Sequence, residues 1–125
     1  MSAKPKMGES HPHLPAPHGF ADNLESLRAQ FPNYPDCFDW KLKKKKRLAS
    51  VETEDPIATA TLFAGLASDG CVSEVVTDVG YRRILADGTV VVLRVVTSSE
   101  GSPAVDLNIA GESYIRKIHF YKGES

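Results

Sequence analysis

The residues best suited to acid–base chemistry lie near the carboxyl end, where Lys117 and His119 alternate in Ile115-Arg116-Lys117-Ile118-His119-Phe120-Tyr121. Residues two apart in an extended strand share a face, so an ammonium and an imidazole would stand side by side. Imidazole titrates near neutrality and can take a proton from a hydroxyl at physiological pH. Arg94 adds a permanent cation, and Thr97, Ser98, Ser99 and Ser102 add hydroxyl donors at a strand exit. Cations and donors around a base are what a phosphodiester needs when its 2′-hydroxyl attacks phosphorus and charge builds on the oxygens. The set predicts metal-independent RNA cleavage, with His119 as acid or base and Arg94 and Lys117 on the phosphate. Any solvated antiparallel sheet also shows Arg, Lys, His and Asp outward. That bland surface is the competing reading.

A second feature is the run Lys43-Lys44-Lys45-Lys46-Arg47, which follows Phe38 and Trp40. Most such runs are simply solvated. Beside aromatic rings, however, Lys44, Lys45 and their neighbours could hold an RNA backbone by charge while bases stack. The chain's formal net charge of −1 conceals this asymmetry. Residues 1–50 carry nine Lys/Arg against five acids, a balance of +4, and residues 51–125 carry six against eleven, a balance of −5. Overall charge therefore decides nothing about nucleic acid, and the local arrangement must.

Other chemistries find less support. No metal is expected, since the folded part has no His-x-His or Glu-x-x-His pair and Cys37 and Cys71 have no Cys-x-x-Cys partner. There is no Gly-rich phosphate-binding run and no elbow motif around Ser98 or Ser99. No cofactor is expected. Two cysteines are too few for a disulfide framework and read as free thiols. The longest apolar run, Val90 to Leu93, is far below the ~18 residues that span a bilayer, and neither a signal peptide nor a membrane partner is expected.

The elements that must position these residues follow from pattern. The 125 residues suit one domain. Residues 1–19, rich in proline and histidine, read as a disordered leader, and 20–53 as a helical and basic N-terminal segment. Phe20, Leu24, Leu27 and Phe31 recur with helical spacing, and Pro32 and Pro35 end that helix. Asp55 before Pro56 marks the start of a second helix, 56–68, with a stripe of alanines for close packing. The period then changes to two. Asp87-Gly88 reads as a two-residue hairpin turn with positive φ at both positions, joining strands 80–86 and 89–96. That register places Tyr81, Arg83, Leu85, Val90, Val92 and Arg94 on one face and Arg82, Ile84, Val91, Leu93 and Val95 on the other. Residues 104–109 and 115–121 supply two more strands. The predicted class is α+β, N-terminal helices followed by a four-stranded antiparallel meander, and residues 54–122 are expected to form the α+β domain.

One long stretch resembles a known family. Asp55-Pro56 through Leu66-Ala67, Ala86-Asp87-Gly88-Thr89, Arg94 through Ser98-Ser99-Glu100-Gly101-Ser102-Pro103 to Ile109, and the closing Lys117-Ile118-His119-Phe120 resemble the carboxyl-terminal toxin domains of bacterial polymorphic toxins. These are the variable tips of contact-dependent inhibition, Rhs and LXG-type effectors, and the resemblance covers residues 54–121. It implies a small ribonuclease of the barnase, colicin and RelE type of fold, a cognate immunity protein as partner, and delivery into the cytoplasm of a target cell. It further implies that Arg94, Lys117 and His119 serve catalysis and that Ser98, Ser99 and Ser102 bind substrate; Tyr81, Lys44 and Lys45 join the binding set from the patterns above. The chain lacks a long delivery region and is short between Gly111 and Lys117. The alternative is a non-catalytic interaction module, immunity-like or regulatory, that uses its acidic half against a basic protein.

Overall fold

A computed structural model of the chain describes residues 18–32, 34, 38–96 and 102–123. The elements run α1 Phe20–Gln30, β1 Lys41–Lys43, β2 Lys46–Glu52, α2 Pro56–Ala67, β3 Ser73–Thr77, β4 Gly80–Ile84, β5 Val90–Arg94, β6 Ala104–Asn108 and β7 Ile115–Tyr121. The class is α+β, but the sheet has seven strands where four were expected, and α2 lies between strands instead of ahead of them. Across the sheet the order is β1-β2-β7-β6-β5-β4-β3. Strands β3 to β7 form an antiparallel meander. Strand β2 joins β7 in parallel, with Ala49 beside Ile118 and Ser50 beside His119. The basic segment that follows α1 is therefore a β1–β2 hairpin built into the same sheet. The leader up to residue 17 lies outside the described residues.

Helix α2 starts as its sequence dictates. The Asp55 carboxylate accepts from the Ala58 backbone N–H at 3.1 Å, and Pro56 occupies the first turn, where its missing N–H leaves no bond unmade. Its buried side chains are Ala60, Phe63, Ala64 and Ala67. The alanines bring the helix close to β5, β6 and β7, while Phe63 inserts among Phe31, Tyr34, Phe38 and Phe120 with ring centroids 5.1–6.1 Å apart. Helix α1 lies against α2, and the buried Asn23 amide donates to the Ala67 and Asp69 carbonyls at 2.8 and 3.0 Å, satisfying the open C-terminal end of α2. Val91, Leu93, Val105, Leu107, Ile118 and Phe120 complete the core from one side of the sheet. The opposite side carries no helix among the described residues.

The β4–β5 turn differs from expectation. Leu85 N–H donates to the Thr89 carbonyl at 2.8 Å, and Gly88 N–H donates back to the Leu85 carbonyl at 3.0 Å. Only Gly88 has positive φ, 93°. The connection is a three-residue loop, a turn closed by a left-handed glycine, in place of the tighter two-residue turn. One added residue slips the register by one and exchanges the faces of β4. Ile84 now opposes Val90, Arg82 opposes Val92, Tyr81 opposes Leu93 and Gly80 opposes Arg94. Tyr81 and Arg83 thus belong to the helix side, and Arg82 and Ile84 to the open side with Val90, Val92 and Arg94. The strands are also shorter than predicted at the turn. No helix among the described residues is long and apolar enough to cross a membrane.

Candidate nucleic-acid interface and acid–base site

Register fixes what the open side displays. One row across the sheet reads Lys41, Leu48, Lys117, Asp106, Val92, and the next reads Ser50, His119, Ala104, Arg94, Gly80. Strand β7 alternates strictly. Arg116, Ile118 and Phe120 are buried on the helix side, and Lys117 and His119 are half-buried on the open side. The expected pairing of Lys117 with His119 on one face holds.

The parallel β2–β7 pair then delivers the lysine run to that face. Lys43, Lys44, Lys45 and Lys46 line an open groove of about 680 Å³ with Leu48, Ile115, Lys117 and His119. A smaller hollow on the other side of Leu48 and His119 is lined by Asp39, Lys41 and Ser50. The groove lysines bend around the β1–β2 turn, where Lys44 adopts φ 55°, the left-handed region. Among the described residues Lys43, Lys44, Lys45, Lys46 and Lys117 have no ion pair. Like charges held together without counter-charges create a positive field that concentrates polyanions. The floor between them, Leu48 and Ile115, is apolar.

His119 presents its two ring nitrogens unequally. Nδ1 is buried and has no hydrogen-bond partner among the described residues. Nε2 is the nitrogen left open to solvent. Exchange of a proton with a bound hydroxyl would therefore run through Nε2.

The other predicted residues are dispersed. Arg94 lies in the His119 row but two strands away, roughly 10 Å at ordinary strand spacing, and its Nη2 is held by Asp106 Oδ2 at 2.7 Å. Its charge is largely spent on that carboxylate, whose second oxygen is buried without a partner among the described residues. Tyr81 is on the opposite side of the sheet, where the Arg83 guanidinium stacks 3.8 Å from its ring. It leaves the candidate set, because the slipped register turns it away from Arg94. Ser102 lines a separate hollow with Asp55, Pro56, Ile57, Tyr121 and Lys122, at the start of α2. Ser98 and Ser99 lie outside the described residues, as does Cys37, and Cys71 is a half-buried thiol. No group of three or more His, Cys, Asp or Glu placed to hold a metal ion occurs among the described residues.

Lys41, Ser50 and Leu48 are members of the site that sequence reasoning missed. Their place depends on β2 pairing in parallel with a strand some seventy residues later, and no local pattern announces such a pairing. Arg116, next in sequence to Lys117, faces the other way. It is 8% exposed, forms a two-point bond with the Glu112 carboxylate at 2.8–2.9 Å and lies over the Trp40 ring. The Glu112 hydrogen bond, acting against burial, holds the Arg116 guanidinium above its ordinary value. It is a structural cation, not a groove cation. No protein-family model, curated protein or solved structure matches the chain.

Proposed function

We propose that the open side of β1, β2 and β7 binds single-stranded RNA and cleaves it without metal, as a toxin-type ribonuclease that stops growth. The observation that supports this reading is the convergence of five lysines without ion pairs and His119 on one groove. Lys43 to Lys46 bind successive phosphates, and the apolar floor of Leu48 and Ile115 receives a base. His119 Nε2 takes the 2′-hydroxyl proton, the 2′-oxygen bonds to phosphorus, and the bond from phosphorus to the 5′-oxygen breaks, that oxygen taking its proton from solvent. Lys117, two residues away on the same strand face, stabilises the charge gathered on the phosphate oxygens. Arg94, already bound to Asp106, shapes the edge of the field and does not touch the reacting phosphate. The toxin resemblance adds delivery into a target-cell cytoplasm and a cognate immunity protein that masks the groove.

The test is induced expression of residues 1–125 in a bacterium, with total RNA resolved on a denaturing gel beside the His119→Ala variant. Expected are growth arrest and discrete RNA fragments, with cleavage reduced about 10²–10⁴-fold in the variant at unchanged melting temperature. Undiminished killing by His119→Ala removes the catalytic assignment. Normal growth with intact RNA, given soluble wild-type protein, leaves a non-catalytic module for a basic protein as the reading. The excess of acid over residues 51–125 is what favours that second reading.

A further inference from the structure

The two edges of the sheet are built differently. The β1 edge is only three residues long and carries Lys41 and Lys43, with Lys46 beside them on β2. Short strands and lysines are the devices that keep one sheet edge from pairing with another. The β3 edge has neither. Ser73–Thr77 is exposed along its whole length, pairs with β4 on one side, and among the described residues has no strand on the other. Val75 and Val76 are 54% and 72% exposed, and Val72 and Val79 flank them, also exposed. Its single charge, Glu74, is paired with Arg83 at 2.7 Å, and its carboxylate stays partly exposed.

We propose that this edge pairs antiparallel with the β3 edge of a second copy of the chain, forming a two-fold dimer. The exposed edge is complementary to itself about Val75, and its acids select the register. With the axis at Val75, Val75 of one copy opposes Val75 of the other, Glu74 opposes Val76, and Ser73 opposes Thr77. A shift of one step either way opposes Glu74 to Glu74 or Glu74 to Asp78, and like charges directly opposite are unfavourable. The unshifted register is therefore free of acid–acid opposition and sets Val75 against Val75, with Val76 opposite Glu74. Head-to-tail growth is blocked, because the free end of any chain of copies would have to pair through the lysine-guarded β1 edge; the two-fold arrangement closes instead. The dimer extends the sheet with the helices of both copies on the same side. The proposal is independent of any reaction in the groove.

Sedimentation of residues 1–125 over a wide concentration range tests it. The expected result is a monomer–dimer equilibrium weakened on the order of tenfold or more by Val75→Lys, and unchanged by Leu42→Lys at the opposite edge. Both positions are exposed, so melting temperatures should match the wild type. Should Val75→Lys fail to fold, Val76→Lys, at the more exposed neighbour, carries the same test. A protein that stays monomeric up to the highest concentrations overturns the proposal. So does a dimer, or a larger species, that the β3 lysines leave intact.

Discussion

The flanks of one continuous sheet present opposite chemistries to solvent. On the β1, β2 and β7 flank, Lys43 to Lys46 and Lys117 line one groove with His119. On the β3–β4 flank, Val72, Val75, Val76 and Val79 are exposed and the nearby cation Arg83 is tied down by Glu74 and Ser68. Both flanks rest on the same aromatic and aliphatic layer, so their difference owes nothing to the core. It comes from whether polar side chains are satisfied within the chain. Lysines left unpaired project a field toward a polyanion, whereas valines beside a neutralised ion pair favour backbone pairing. A common scaffold can thus carry two surfaces that select different classes of partner.

The largest expected effect removes the common support. Phe63 is fully buried and is the ring on which Phe31, Tyr34, Phe38 and Phe120 converge. Phe63→Ala leaves a cavity at the junction of both helices and the sheet, at a cost of about 3–5 kcal/mol. The melting temperature should fall by roughly 15 °C. RNA binding at one flank and dimer formation at the other should disappear along the same melting curve. Loss of one surface well before the other would show that the flanks do not share a cooperative unit.

How much of this contrast is legible in the sequence depends on how local each element is. Helix α2 is written in adjacent residues, Asp55-Pro56 at its start and alanines along its stripe, and the helix runs where that pattern puts it. The alternation of Lys117 and His119 is equally local. Strands β1 and β2 are hidden because lysine is a poor strand former and because β2, on which β1 folds back, has its other partner in β7, far along the chain. The β4 faces failed for a subtler reason. Asp-Gly serves both a two-residue turn and a three-residue loop, and the choice rests on whether Leu85 or Ala86 makes the first cross-strand bond. That one-residue difference moved Tyr81 off the site and Arg82 onto the open face. The ion pair of Arg94 is not legible either, since nothing adjacent in sequence reveals that Asp106 will bind it.

A smaller effect sharpens the contrast on the basic flank alone. Lys43→Gln with Lys46→Gln, made in the His119→Ala background so that substrate survives, removes charge while leaving the strands paired. Binding of a single-stranded RNA should weaken, and the slope of log affinity against log salt should fall by about 0.7 for each phosphate that is no longer neutralised. Dimer formation through β3 should not change. An unaltered salt slope would mean that the groove lysines are solvated and touch no phosphate.

The smallest effect concerns the polar link between the valine flank and the helices. Asp87, at the tip of the β4–β5 loop, accepts the Thr89 backbone N–H at 2.9 Å through Oδ1 and the Phe20 backbone N–H at 3.0 Å through Oδ2. Phe20 is the first residue of α1, so a loop carboxylate caps a helix distant in sequence and meets its positive end. Partial burial opposes ionisation, but the hydrogen bonds from Thr89 and Phe20 outweigh it and hold Asp87 below its ordinary value of 3.8. A carboxylate with a lowered folded value contributes stability that is present above the ordinary value and is lost as pH falls through the folded one. Asp87→Asn keeps the shape and removes the charge. The variant should be less stable than wild type at pH 7, and urea unfolding curves of the two should converge as the pH drops below about 4. A difference that persists unchanged into acid would assign the cap to shape instead of charge, and the flanks would then be joined by packing alone.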